Sequence, residues 1–204
     1  MQSKFSNLRE AGIDEAGRGS LCGPVCAAAV IWDVLLEKEE EISLIKDSKK
    51  LSIKKRQKAF KFLKDNLKYY GVGFASNVEI DKINILEATK LAMSRAVENL
   101  KKQLSKDNQL ELLVIDGIRW ENCFDIKSHS IIKGDDKYYS ISAASIIAKE
   151  EHDKTIIEYV NNNNELNLRY DILNNKGYGT KKHLIGLENF GSSDYHRKTF
   201  KRCY

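Results

Sequence analysis

Three apolar segments of the chain run into acidic residues. "GIDEAGRG" carries Asp14 and Glu15, "LELLVIDG" carries Asp116, and "SHSIIKGDD" carries Asp135 followed by Asp136. One aspartate after a strand means little, because turns use that side chain routinely. Three such positions are more informative, since α/β folds assemble sites from distant segments at strand ends. Clustered carboxylates raise one another's pKa and are costly without a counter-charge. Mg²⁺ and Mn²⁺ remove that cost and favour oxygen ligands. Two such ions held by shared carboxylates can activate water and stabilise the leaving oxygen of a phosphodiester.

The residues after Glu15 point the same way. Gly12, Gly17, Gly19 and Gly23 crowd one short span around Arg18, and glycine permits close approach to a backbone. The segment "IKDSKKLSIKKRQKAFKFLKDNLK" is rich in lysine. Its helical part reads as a solvated face. Lys49 and Lys50 differ, because they precede the helix in "DSKKL", where a loop can present them to phosphate. A P-loop is excluded, since "GRGSLCG" lacks the Gly-Lys-Ser/Thr ending. "CGPVC" is one residue too long for a redox Cys-x-x-Cys. The four histidines show no paired spacing for zinc. Cys22, Cys26, Cys123 and Cys203 read as free thiols, as expected of a cytoplasmic chain.

The elements that must position these groups follow from periodicity. Residues 9–14 and 24–31 read as strands, the second nearly continuous in Val, Ala and Ile and so suited to a buried position. Ser52 caps a predicted helix to about Lys68, with Ala59, Phe60, Leu63 and Leu67 as its stripe. "YYGVGFAS" reads as a strand and "INILEATKLAMSRAVENLKKQL" as an amphipathic helix. "LELLVIDG" is a buried strand, and a further strand ends at Gly134–Asp135. "SISAASIIAKEEHDKTIIEYV" is a long helix, and the asparagine-rich "NNNNELN" reads as a loop. Strands with interspersed helices make the class α/β. The 204 residues suit one domain. A net charge of +5 leans only weakly towards polyanionic partners, because 29 acidic residues remain. No signal peptide or membrane span is apparent, so the cytoplasm is the expected location.

Seven segments carry a resemblance along nearly the whole chain: "GIDEAGRGSLCGPV", "DSKKLS", "INILEATKLAMSRAV", "VIDG", "IIKGDDKYYSISAASIIAK", "NKGYGTKKH" and "HRKTF". In this order they resemble the bacterial type 2 ribonucleases H, the ribonuclease HII family. The resemblance implies a ribonuclease H-like fold, a mixed five-stranded sheet flanked by helices, with a helical C-terminal extension. Residues 1–160 would form the catalytic core and 161–204 the extension completing the substrate site, in one structural domain. It implies an endonuclease that hydrolyses the RNA strand of RNA/DNA hybrids and cuts 5′ of single ribonucleotides in duplex DNA, leaving a 3′-hydroxyl and a 5′-phosphate. The associated roles are ribonucleotide removal and RNA primer removal by a cytoplasmic monomer. The catalytic and metal-binding set would be Asp14, Glu15, Asp116 and Asp135, holding two Mn²⁺ or Mg²⁺ ions. Gly17, Arg18, Gly19, Lys49, Lys50 and Tyr178 would bind substrate, the glycine loop at a ribose 2′-hydroxyl and Tyr178 at the RNA–DNA junction.

Three positions depart from the family pattern. Ser20 stands where proline is common, which could loosen the turn. Asp136 and Tyr138 stand where a small residue and a serine are frequent, which changes the surroundings of Asp135. The early first motif and an aspartate at the fourth acidic position favour type II over type III. The terminal "FKRCY" shows no obvious sliding-clamp peptide. A catalytically inactive nucleic-acid-binding domain, or an α/β phosphohydrolase acting on small phosphate esters, remain alternatives.

Overall fold

The computed structural model describes residues 1–34, 39–46, 48–121 and 123–203, with Glu39, Glu40 and Lys49 described by backbone alone. Five strands form one sheet: β1 (Glu10–Ala16), β2 (Val25–Ile31), β3 (Tyr69–Ala75), β4 (Leu112–Asp116) and β5 (Lys127–Ile131). Their order is β3-β2-β1-β4-β5. β1 pairs antiparallel with β2, and β2 with β3, whereas β4 runs parallel to both β1 and β5. The sheet is therefore mixed, as expected. β1 and β4 run side by side in the same direction, so Asp14 and Asp116 emerge near the same end of the sheet.

The helices are α1 (Glu39–Ile42), α2 (Ile53–Asn66), α3 (Asn77–Lys101), α4 (Tyr139–Asn161), α5 (Asn164–Tyr170), α6 (Ile172–Asn175) and α7 (Lys181–Phe190). Strand β2 shows why the sheet needs helices on both faces. Val25, Ala27, Ala29 and Ile31 pack with Ala88, Ala92, Met93 and Ala96 of α3. Cys26, Ala28 and Val30 face the other way, against Ala59 and Leu63 of α2 and Ala143, Ile146 and Ile147 of α4. Alternation along a strand sends successive side chains to opposite faces, and each buried Val, Leu, Ile or Met side chain contributes roughly 1.5–3 kcal/mol. Gly12 lets α4 approach β1 closely, because a β-carbon there would overlap the backbone of Ser140 and Ile141. That approach brings the N-terminal turns of α4 to the end of β1.

Several elements differ from their sequence expectation. The stripe of α2 buries Arg56 and Phe62 with Ala59 and Leu63, while Phe60 is half-buried. Arg56 is admitted because Glu150 pairs with it at 2.5 Å and Asp153 at 3.5 Å. Helix α3 starts earlier than periodicity implied, with Ser76 and Glu79 forming a capping box. It is broken at Asn84 (φ 64°), whose Oδ1 accepts from the amides of Leu86 at 2.9 Å and Glu87 at 3.2 Å and so caps a second segment. β5 stops at Ile131, and Asp135 lies instead in a 3-10 turn, Gly134–Asp136.

The asparagine-rich stretch is not simply a loop, since α5 starts at Asn164. Leu166 and Tyr170, four residues apart, pack against Ile156, Val160 and Ile172, and that burial overrides the polar composition. This small apolar cluster also takes in Cys22, Tyr195 and Leu187, which joins the C-terminal segment to the chain after β1. Among the described residues no helix is long and apolar enough to cross a membrane. All four cysteines are free.

Candidate active site

Asp14 arrives from β1, Asp116 from the end of β4 and Asp135 from the 3-10 turn. One carboxylate oxygen of each lies within 4.8 Å of the others. Asp14 and Asp135 are buried, and Asp116 is half-buried. Burial first, then the charges of Glu15 and Asp116, holds the Asp14 carboxyl well above its ordinary pKa. Hydrogen bonds from the Ser145 side chain and from the Glu15 amide, the latter at 2.7 Å, oppose that rise. Ser145 is itself paired with Ser48 at 2.9 Å, which anchors the start of "SKKL" beside the site. Gly134 donates its amide to Asp116 at 2.7 Å, so the turn carrying Asp135 is tied directly to the strand carrying Asp116. Three hard oxygen donors, close together and mutually repelling, suit a divalent cation such as Mg²⁺ or Mn²⁺.

Glu15 lies outside that group of three, although its charge reaches Asp14, and its carboxylate pairs with Arg18 at 3.1 Å. The Arg18 guanidinium also lies 5.8 Å from the centre of the Trp120 ring, within cation–π range. Trp120 is buried and donates its indole N–H to the Asp116 carbonyl at 3.1 Å. Arg18 is thus held over the strand end that supplies Asp116.

The glycine loop and Tyr178 meet. A β-carbon on Gly19 would lie 3.8 Å from the Tyr178 ring, and Ser20 forms a β-bridge with Tyr178. Ser20 does not loosen the turn: its amide donates to the Gly17 carbonyl at 3.2 Å, a bond that proline cannot make, and its side chain reaches the Lys176 carbonyl at 3.4 Å. The Lys149 ammonium lies 5.0 Å from the centre of the Tyr178 ring and pairs with Asp153 at 2.8 Å. Tyr178 also edges a groove of about 890 Å³ whose lining mixes Lys149, Lys154 and Lys176 with Glu150, Asp153 and Glu158. Lys50 is paired with Asp136 at 2.5 Å, beside Asp135. Of Lys49 the side chain lies outside the described residues. Tyr138 packs edge-on against Phe5, with ring centres 5.7 Å apart, so it serves the N-terminal segment.

Residue-by-residue reading missed four neighbours of this site. His152 is buried beneath Gly17, with Nδ1 3.0 Å from Asp153. His183 and His196 join Nε2 to Nε2 at 2.9 Å, close to Cys22. Arg197 is fully buried, although its segment "HRKTF" looks like solvated basic sequence. Only membership of a recurring motif marked that segment in the sequence.

Comparison with known proteins agrees with this geometry. The ribonuclease HII family model matches residues 11–203. Ribonuclease HII of Pelagibacter ubique is 47% identical over 190 residues, covering 93% of this chain and 94% of the relative. Ribonuclease HII of Bacteroides fragilis is 46% identical over 193 residues, with 95% and 89% covered. Among solved structures, ribonuclease H2 from Pyrococcus horikoshii OT3 superposes with a TM-score of 0.71 at 26% identity, covering 95% of this chain and 94% of that one. Bst-RNase HIII in complex with Mn²⁺ shares the fold at a TM-score of 0.60 and 21% identity, over 75% of this chain and 56% of that one. With an acidic cluster at the strand ends, a glycine loop beside it and relatedness over nearly its full length, the chain belongs to the ribonuclease HII family, the metal-dependent endonucleases that hydrolyse the RNA strand of RNA/DNA hybrids.

Proposed function

We propose that this endonuclease cuts 5′ of single ribonucleotides embedded in duplex DNA as well as within longer RNA/DNA hybrids. Asp14, Asp116 and Asp135, with Glu15 beside them, would hold two Mg²⁺ or Mn²⁺ ions. When bound, such ions supply charge neutralisation and Lewis acidity for hydrolysis of a phosphodiester. Water adds across the P–O3′ bond, leaving a 3′-hydroxyl and a 5′-phosphate. The observation carrying the reading is the contact between the glycine loop and Tyr178 next to the acidic cluster. Backbone groups of Gly17, Arg18 and Gly19 bind the 2′-hydroxyl that separates RNA from DNA. The Tyr178 ring packs on the following sugar and rejects a 2′-oxygen there. Lys49 and Lys50 meet phosphates. In this reading residues 161–204 complete the substrate site on the core of residues 1–160, and the protein acts as a cytoplasmic monomer in ribonucleotide and RNA primer removal.

A labelled duplex containing one ribonucleotide, incubated with and without Mg²⁺ or Mn²⁺, tests the activity. Cleavage 5′ of the ribonucleotide that stops in excess EDTA is expected. Tyr178→Ala should fold normally and lose junction cleavage more than cleavage inside a long RNA stretch. Equal losses on the two substrates would refute the junction role, and no metal-dependent cleavage of either would refute the activity.

A further inference from the structure

Arg197 donates three hydrogen bonds to backbone carbonyls: Nε to Gly23 at 2.9 Å, Nη1 to Arg18 at 3.0 Å and Nη2 to Pro24 at 2.9 Å. The side chain is fully buried. Burial brings its pKa down to about 10, so the guanidinium is still charged at neutral pH. A buried cation satisfied by carbonyls is costly to install, and the planar fork is what lets one side chain span several acceptors. One of those acceptors is the middle residue of the glycine loop.

The preceding residue reaches the other reading element. His196 Nδ1 accepts from the Ser193 amide at 3.0 Å, which leaves the His196 proton on Nε2. That proton is donated to His183 Nε2 at 2.9 Å. His183 then carries its own proton on Nδ1 and donates it to the Tyr178 carbonyl at 3.1 Å. A single choice of tautomers satisfies every ring nitrogen along the chain from Ser193 to Tyr178. The backbone repeats the connection, since Arg197 donates its amide to the Leu21 carbonyl at 2.9 Å and Leu21 donates to Gly177 at 2.7 Å. The Nε2-to-Nε2 hydrogen bond also accounts for the closeness of His183 and His196 without a metal ion.

We infer that the His196–Arg197 dipeptide acts as a gauge, its two adjacent side chains fixing the distance between the Gly17–Gly19 loop and Tyr178 and so setting the selectivity for a ribose followed by a deoxyribose. His196, His183 and Arg197 are positioning residues, for none is placed to touch substrate. The inference rests on the junction reading proposed above. Its physical basis is that recognition by one hydroxyl donor and one steric contact is a matter of spacing. A displacement of about 1 Å in such a site costs on the order of 100-fold in rate.

The test compares wild type, Tyr178→Ala, Arg197→Lys and His183→Gln on a duplex with one ribonucleotide and on a hybrid of the same length. Lysine keeps the charge but cannot span three carbonyls, and glutamine replaces the rigid ring joining His196 to the Tyr178 carbonyl by an amide on a flexible chain. For Arg197→Lys we expect kcat/KM to fall on the order of 100-fold on the single-ribonucleotide duplex and less than about tenfold on the hybrid. The rise in Tm on adding Mn²⁺ should persist, because Asp14, Asp116 and Asp135 come from other elements. Equal losses on both substrates, or no loss, would overturn the inference. If Arg197→Lys lacks a cooperative melt, His183→Gln decides by the same ratio. Failure of both to fold assigns the dipeptide to stability alone and overturns it. A wild type that ignores the single ribonucleotide overturns the junction reading and this inference with it. A junction preference lost in Tyr178→Ala but kept in Arg197→Lys and His183→Gln overturns the inference only.

Discussion

Gly17 rests directly on the imidazole of His152, so closely that a β-carbon at this position would overlap the ring. The same residue has φ +87°, a conformation that L side chains rarely adopt. The loop therefore needs glycine for two separate reasons. Gly17→Ala should cost about 1–3 kcal/mol through backbone strain and should displace the loop. Thermal melting and hybrid cleavage measured together check this. Adding His152→Ala removes the overlap but not the strained φ, so the double variant should recover part of the activity. A double variant no better than Gly17→Ala would mean that the imidazole is not the obstacle.

Asp135 and Asp136 are neighbours with different surroundings. Asp135 is buried in the acidic cluster, whereas Asp136 is exposed and paired with Lys50. Asp135→Asn should remove most turnover, leave hybrid binding nearly intact and reduce the rise in Tm on adding Mn²⁺, because ligand binding to the native state appears as stability. Asp136→Asn should do none of these strongly. Greater damage from the second change would reverse the assignment.

Hybrid affinity should fall steadily as salt rises, through release of counterions from phosphates. A phosphate-contacting lysine contributes about one unit to that slope. Lys50→Ala should lower it by less than this, because Asp136 already holds the amine at 2.5 Å. In an Asp136→Asn background the same substitution should have its larger effect. Fluorescence anisotropy across a salt series would show it, and a salt-independent Kd would count against a nucleic-acid substrate.

Burial, with a contribution from His183, pushes the His196 pKa down to about 4. In the unfolded chain the ring titrates near 6.5. Between those values the unfolded state binds more protons, so stability is lost as pH falls from about 6.5 to about 4 and this contribution levels off below. The slope from this ring is at most about 1.4 kcal/mol per pH unit. His152 and His183, also pushed down by burial, add in the same direction. His196→Gln should lower Tm at pH 7 and flatten the decline across this window. Parallel curves for the two proteins would contradict it.

Much of this protein is legible residue by residue. The nearly continuous apolar run in "VCAAAVI" reads as a buried strand, and Asp14, Asp116 and Asp135 each stand at or just past an apolar segment. Those are local signals, written in spacings of two to four residues. The recurring order of motifs added the family. What the sequence could not display is pairing between distant segments. Asp135 and Asp136 look alike until one is buried beside Asp14 and the other is held by Lys50. Residues 161–167 look like polar loop until Leu166, together with Tyr170 beyond them, finds an apolar surface. Arg197 looks like one more solvated cation, and its bond to the Arg18 carbonyl spans 179 residues. No periodicity records such a contact, because a guanidinium is buried only where the folded backbone turns three carbonyls towards it. Local patterning determined the elements and the positions of the acidic groups; the packing of the C-terminal segment against the glycine loop decided how the site is held.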